Sequence, residues 1–226
     1  MSNAFYLILL FCSAYLIGSL PFSYLIAKSC GVNLFKAGSG NIGATNVMRS
    51  CGKLPGILAY LLDIFKGFAA VKICLFLSDF FGFISAGWYL AAQVAPFSAI
   101  IGHMFPIFLK LKGGKGVAVS AGIFFAYVTL PMTAVFIIFL SVVFITGYVS
   151  LGSITAAALL PGFVFLHDLL AEKFFLFDRL RTGLQASHFL AVLSFCSLIS
   201  VLIIIKHRSN INRLLNGTEN SFKKKT

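Results

Sequence analysis

From Val117 to Val149 the chain runs for about 33 residues without one charged side chain. A single straight helix of that length would reach about 50 Å at 1.5 Å per residue, well beyond a bilayer hydrocarbon core of about 30 Å. The run therefore has to be divided, and Pro131, near its middle, predicts two short helices that meet there. The same apolar character recurs along the chain. Ala4–Ala27, interrupted by Gly18 and Pro21, forms a first run, and Leu54–Leu77 a second. Ile84–Leu109, with Pro96 and Pro106, forms a third; Ile154–Leu166 and His188–Ile205 complete the set. Together they predict an all-α polytopic membrane protein of about seven transmembrane helices.

Composition agrees with this class. Of 226 residues 59% are hydrophobic and 11% charged, against about 25% charged in soluble domains. No soluble segment of domain size is present, so one membrane domain over residues 1–226 is expected, with a flexible basic tail within 215–226. A net charge of +12 would suggest nucleic acid in a soluble protein; here the positive-inside rule accounts for it. The islands and flanks around Lys28–Lys53, Lys110–Lys115 and Lys206 onward carry 13 of the 18 Lys and Arg residues. With seven spans these all fall on one side, which places them in the cytoplasm, the N-terminus outside and the C-terminus inside. The five cysteines show no metal-ligand or CxxC spacing and read as small hydrophobes. The first run lacks a preceding Lys or Arg and a small-residue cleavage site, which predicts a retained span.

Three polar islands interrupt the hydrocarbon pattern: GSGNIGATNVMR (Gly38–Arg49), KLKGGKG (Lys110–Gly116) and KHRSNINRLLNGTE (Lys206–Glu219). Segments so rich in donors do not belong in hydrocarbon, where each unsatisfied backbone group costs several kcal/mol. They are expected to meet at a common site. KGGKG suits an anion: paired glycines let backbone N–H groups converge, Lys115 adds a point charge, and a helix resuming at Val117 points its N-terminus the same way. Gly116 stands where a Walker A loop has Ser or Thr to hold magnesium, so this is not a nucleotide loop. Gly38, Gly40 and Gly43 match GxGxxG, but no βαβ unit fits before the span at Leu54, which rejects a dinucleotide fold. His103, near the cytoplasmic end of the third run, and His207, at the start of the third island, suit acid/base or phosphate-donor roles; Ser150 and Ser153 sit in a polar turn, GYVSLGS, on the same side. Asp63 and Lys66, one helical turn apart within the second run, must face the bundle interior or neutralise each other. A structural pair and a substrate-binding pair are both consistent with that spacing.

These islands resemble the three signature motifs of the PlsY family, the bacterial acyl-phosphate:glycerol-3-phosphate acyltransferases. GSGNIGATNVMR resembles the first motif, GHMFPIFLKLKGGKGVA the second and KHRSNINRLLNGTE the third, while GSLPFSYLIAK, DIFKG and GYVSLGSI are also similar. The resemblance implies an inner-membrane enzyme with its site on the cytoplasmic face. It implies transfer of a fatty acyl group from acyl phosphate to the 1-position of sn-glycerol 3-phosphate, giving lysophosphatidic acid and phosphate, the first committed step of phospholipid synthesis. By motif position Ser39, Lys115, His207 and Asn210 are the expected catalytic residues. Asn41, Thr45, Asn46, Arg49, His103, Lys110, Gly113, Gly114, Gly116, Ser150, Ser153 and Arg213 would bind substrate or phosphate, and Glu219 would organise the third motif. No cofactor and no metal are expected. The implied partners are the two substrates, membrane lipid and, functionally, a soluble enzyme that forms acyl phosphate; nucleic acid is not expected.

The chain has no His-x4-Asp motif of the other large acyltransferase group, and direct attack by the glycerol hydroxyl without an acyl-enzyme is the expected mechanism. Two other classes use similar residues. A transporter for organic phosphates would place its cations near mid-membrane between repeated halves, and no repeat is found. A non-catalytic lipid-binding protein would need basic loops but not three dense motifs in order.

Overall fold

The computed structural model describes residues 3–80, 87–174 and 183–222, and every regular element in them is helical. The expected outer loop over 167–187 and the lysine tail lie partly outside the described residues. Cα packing divides the chain into two compact units, Met1–Tyr127 and Val128–Thr226.

The N-terminal unit begins with α1 (Asn3–Ser19) and α2 (Phe22–Ser29), separated at Leu20–Pro21 where Pro21 has no N–H to continue the ladder. Next come α3 (Ala44–Cys51), α4 (Lys53–Phe80), α5 (Gly87–Met104), a single 3-10 turn (Ile107–Leu109) and α6 (Val117–Tyr127). α1 packs on α5 and α4 on α6, with α3 against α4. Both long crossings are made by reciprocal glycines. A Cβ on Gly67 would strike the Val119 carbonyl, and one on Gly122 the Ile64 carbonyl; Gly18 and Gly102 stand likewise against Ala99 and Tyr15. In a membrane, where water does not drive helices together, such small residues let backbones come into dispersion contact.

The C-terminal unit contains α7 (Thr129–Thr146), α8 (Val149–Phe174), α9 (Gly183–Lys206) and the short α10 (Arg208–Leu215). α8 packs against α7 and α9, and α10 touches both α8 and α9.

Two sequence expectations are corrected here. The long apolar run does divide, but at Val128 (φ −134°, ψ 63°), not at Pro131, which is the third residue of α7. A proline in the first helical turn removes no needed hydrogen bond, so it marks the start of a helix as readily as its end. The expected polar turn Gly147–Ser153 shrinks to Gly147 and Tyr148. Gly147 (φ 77°) closes α7 with its N–H on the Val143 carbonyl at 2.8 Å, a left-handed cap. Ser150 and Ser153 accordingly belong to the start of α8.

Among the described residues four helices are long and apolar enough to cross a membrane: Ala4–Ser29, Thr129–Thr146, Val149–Leu170 and Phe189–Lys206. α4 has the length, at 28 residues, but carries Asp63, Lys66 and Lys72. α6, with 11 residues, is only about 17 Å long. Large apolar side chains such as Phe144, Ile145, Leu130 and Phe76 point outward, the surface expected of a chain solvated by lipid tails.

Candidate active site

The first island is organised from inside by Asn46. Its side chain is buried, its Oδ1 accepts the Ser39 N–H at 2.9 Å, and its Nδ2 donates to the carbonyls of Ala37 and Asn41, both at 3.0 Å. Gly38 (φ 57°) and Gly40 (φ 70°) take left-handed turns that bend the chain around this amide. The result holds Ser39 exposed at the tip and Asn41 half-buried behind it. α3 then presents Thr45 and Arg49, both half-buried, one helical turn apart on one face. Its opposite face buries Ala44 and Val47 over Ala27, Leu34, Ile42 and Ala59. Asn46, read from sequence as a phosphate ligand, thus has its amide engaged by the loop itself.

The second island lies on the end of α5. Lys110 (φ 51°) and Leu111 (φ 62°) are both left-handed without being glycine; the Leu111 N–H on the Pro106 carbonyl at 3.0 Å ties that turn down. Lys110 is exposed and Lys115 half-buried. Gly113 and Gly114 are needed for close approach: a Cβ on Gly113 would strike the His103 carbonyl, and one on Gly114 the His103 ring and, at 2.7 Å, the Ile42 carbonyl. The Gly114 N–H donates to the His103 carbonyl at 3.2 Å, so this amide is engaged within the loop. Gly116 (φ 86°) turns the chain into α6, whose first residue is Val117 as the pattern predicted. His103 is buried beneath this loop, its ring Nδ1 4.0 Å from Asp63 Oδ1. The contact of Gly114 with Ile42 brings the first two islands together within the N-terminal unit.

The third island forms a cluster within the C-terminal unit, centred on Glu219. This carboxylate is buried, yet it accepts from Ser150 Oγ at 2.8 Å and Asn210 Nδ2 at 2.7 Å on one oxygen and from Arg213 Nε at 2.7 Å on the other. The turn after α10, with Thr218 N–H on the Arg213 carbonyl at 2.8 Å, folds Glu219 back onto its helix. Phe222 N–H then reaches the Gly147 carbonyl at 3.0 Å and ties the segment to the α7–α8 turn. Burial alone would push the Glu219 carboxyl pKa up, but the hydrogen bonds from Asn210, Ser150 and Arg213 and the Arg213 charge outweigh it, and the net shift is downward. His207 caps α9, buried, with ring Nδ1 2.7 Å from the Ile203 carbonyl. A carbonyl only accepts, so Nδ1 carries a proton in this contact. Ser153 is buried and donates back to the Val149 carbonyl at 2.8 Å.

Sequence reasoning did not find Ser23, which donates to Asp63 Oδ2 at 2.9 Å across 40 residues, nor the pairing of Phe222 with Gly147. Neither has a local signal beyond the Pro21 break beside Ser23.

A polytopic helical bundle carrying polar loops rich in amide, hydroxyl and guanidinium donors defines a membrane protein built to handle anions. Comparison with known proteins narrows that class. Residues 8–217 match the family model of glycerol-3-phosphate acyltransferase. A curated relative of that name from Geotalea daltonii is 40% identical over 96% of this chain and 98% of its own. One from Aquifex aeolicus is 40% identical over 92% and 95%. Among solved structures, PlsY (YgiH), an integral membrane glycerol 3-phosphate acyltransferase, is similar in its glycerol 3-phosphate form. That likeness has a TM-score of 0.76, with 37% identity over 99% of this chain and 96% of the other. Its lysophosphatidic acid form gives a TM-score of 0.75. This chain belongs to the glycerol-3-phosphate acyltransferase family.

Proposed function

We propose that this protein transfers a fatty acyl group from acyl phosphate to the 1-position of sn-glycerol 3-phosphate, releasing lysophosphatidic acid and phosphate. The observation that carries the reading is the packing of the glycine loop on the first island, at Gly114 and Ile42, in a chain whose family match spans residues 8–217. Two dianionic substrates need many donors and few acids, and the loops supply Ser39, Asn41, Thr45, Arg49, Lys110, Lys115 and the start of α6. We assign phosphate binding to these groups, with Gly113, Gly114 and Gly116 setting the loop's path and Asn46 its frame. In the third island Ser150, Asn210 and Arg213, ordered by Glu219, and His207 form the second polar group, with Ser153 packed beside it.

Acyl phosphate is a mixed anhydride, so its carbonyl needs no activation by an enzyme nucleophile. The glycerol hydroxyl attacks the acyl carbon, the new ester C–O bond forms, and the bond to the phosphate oxygen breaks with its electron pair leaving on phosphate. The hydroxyl proton passes to a phosphate oxygen of a bound substrate or to a histidine ring. Trapping an acyl-serine or acyl-cysteine would overturn this mechanism.

Detergent-purified protein supplied with palmitoyl phosphate and glycerol 3-phosphate is expected to release phosphate only when both are present, with lysophosphatidic acid formed. Transfer from acyl-CoA or acyl carrier protein instead would overturn the donor. In the same assay Lys115→Ala is expected to lower kcat/KM for glycerol 3-phosphate by at least about a hundredfold, the scale of losing a charged contact to a developing anion; parent-like activity would remove Lys115 from the site.

The reading includes a single domain of seven spans in the bacterial inner membrane, with α1 and α2 counted as one, the N-terminus outside and the islands cytoplasmic. The charge distribution supports it. A cysteine placed at Asn212 should react with an impermeant thiol reagent only in inverted vesicles; labelling in intact cells would reverse the orientation. A soluble enzyme that forms acyl phosphate is the expected functional partner.

A further inference from the structure

Between α1, α2, α4 and α5 of the N-terminal unit lies a charge pair that the proposed chemistry does not use. Lys66 Nζ stands 2.8 Å from Asp63 Oδ1, with both side chains 3% exposed. Each charge is completed by another element. Ser23 Oγ, in α2, donates to Asp63 Oδ2 at 2.9 Å; Lys66 Nζ donates at 2.7 Å to the carbonyl of Leu20, the residue at the α1–α2 break. The ring of Phe22 adds a face 5.8 Å from Nζ. A buried ion pair is weak support for stability, because removing two charges from polar surroundings costs about as much as their attraction returns. Its presence here asks for a different role.

Direct contact with substrate is not that role. The cleft lined by Ser19, Ser23, Asp63, Lys66, His103 and Gly114 has a volume of only about 10 Å³, room for about one water and none for a phosphate group. What the pair does touch, through His103, is the glycine loop. The His103 ring lies beside Asp63 on one edge and against the α-carbon of Gly114 on the other, and the His103 carbonyl holds the Gly114 N–H.

We propose that Asp63 and Lys66, with Ser23 and His103, are positioning residues for the glycine loop: the ion pair fixes the α1–α2 break and the His103 ring, and His103 sets the seat of Gly113 and Gly114 and therefore the direction of Lys115. The proposal rests on the reading that this loop receives glycerol 3-phosphate. Removing the Asp63 charge frees the His103 ring to move, and the loop above it loses its register without losing any group that touches substrate.

The test compares Asp63→Asn, the milder Ser23→Ala, Lys115→Ala and the double variant Asp63→Asn/Lys115→Ala, each in detergent. Asp63→Asn is expected to raise KM for glycerol 3-phosphate about tenfold, since misplacement by a fraction of an ångström is costly in a preorganised site. Ser23→Ala should raise it about threefold, and KM for palmitoyl phosphate should stay near the parent value in both. The rise in Tm produced by glycerol 3-phosphate should be no smaller in the double variant than in Lys115→Ala alone, because both changes act through one loop. A purely structural pair would instead lower Tm and the active fraction with both KM values unchanged, and that result overturns the proposal. If Asp63→Asn does not fold, an unchanged glycerol 3-phosphate KM in Ser23→Ala overturns it equally. If Lys115→Ala itself keeps the parent KM and Tm response, the failure belongs to the cradle reading, and the positioning role falls with it.

Discussion

Glu219→Gln is expected to cut acyl transfer on the order of a hundredfold while the protein remains folded in detergent. The carboxylate accepts three donors, from Ser150, Asn210 and Arg213, on its two oxygens. Glutamine has almost the same shape, but one oxygen becomes an NH2 group that must face a donor. With the NH2 toward Arg213 that bond is lost; turned the other way, the bond from Asn210 Nδ2 is lost and Ser150 has to switch from donor to acceptor. Ser150 and Asn210 are buried, so the unsatisfied group has no water to replace its partner. Hydrogen bonds to a charged acceptor contribute about 1.5–3 kcal/mol each; the Arg213 share lies lower, because that side chain is 36% exposed. A loss of about 3 kcal/mol in the order of the third island corresponds to about a hundredfold in rate. The turn from Thr218 to Phe222 should loosen together with it, readable as faster hydrogen exchange at Phe222, whose N–H is bonded to Gly147. Parent-like turnover would show that this motif orders itself without the carboxylate.

The same residue sets an acid limit. Its folded carboxyl titrates below the unfolded value of 4.5. The stabilisation is therefore fully present above 4.5 and is lost as pH falls through the lower folded value. Thermal unfolding followed from pH 7 downward should show a drop in Tm in that acid window, smaller in Glu219→Gln than in the parent.

Much of the scaffold is visible in the sequence because each cue is local. The break at Pro21 and the cap at Gly147 follow from one residue's backbone preference, and α6 begins where the apolar pattern resumes after Gly116. Pro131 misleads by less than one turn, because proline punctuates a helix start as well as an end. α3 is hidden by the glycine-rich polar stretch before it, although Ala44, Val47, Met48 and Cys51 already recur at i, i+3, i+4 and i+7, the signature of an amphipathic helix. The site divides on the same principle. The polar residue types of the islands announce an anion chemistry, but which amide frames a loop and which faces a ligand depends on contacts across many residues. Asn46 and Thr45 are neighbours of similar polarity, yet one is buried in its own loop and the other lies at the surface of α3. Ser150 and Glu219 are 69 residues apart, and no spacing rule joins them.

Gly114→Ala is expected to abolish measurable acyl transfer, a larger effect than its one methyl group suggests. The new Cβ would meet the His103 ring and the Ile42 carbonyl oxygen, the latter at 2.7 Å. A side chain at the far end of a flexible stem can move aside; the Ile42 carbonyl belongs to the backbone of the first island, and the His103 ring is buried beneath the loop with Asp63 4.0 Å from its Nδ1. Relief therefore requires the two islands to separate, which moves Lys115 relative to Ser39, Thr45 and Arg49. Overpacking of this kind costs about 1–3 kcal/mol in stability, too little to unfold the bundle, whereas displacement by about 1 Å costs about a hundredfold in a preorganised site. The expected signature is thus a modest fall in Tm with a near-complete loss of turnover and of the stabilisation by glycerol 3-phosphate. Gly162→Ala provides the contrast: an added Cβ in the middle of α8 meets nothing within 4 Å, and activity and Tm should stay at or slightly above the parent values. Equal behaviour of the two variants would mean that the contact of Gly114 with Ile42 does not hold the site.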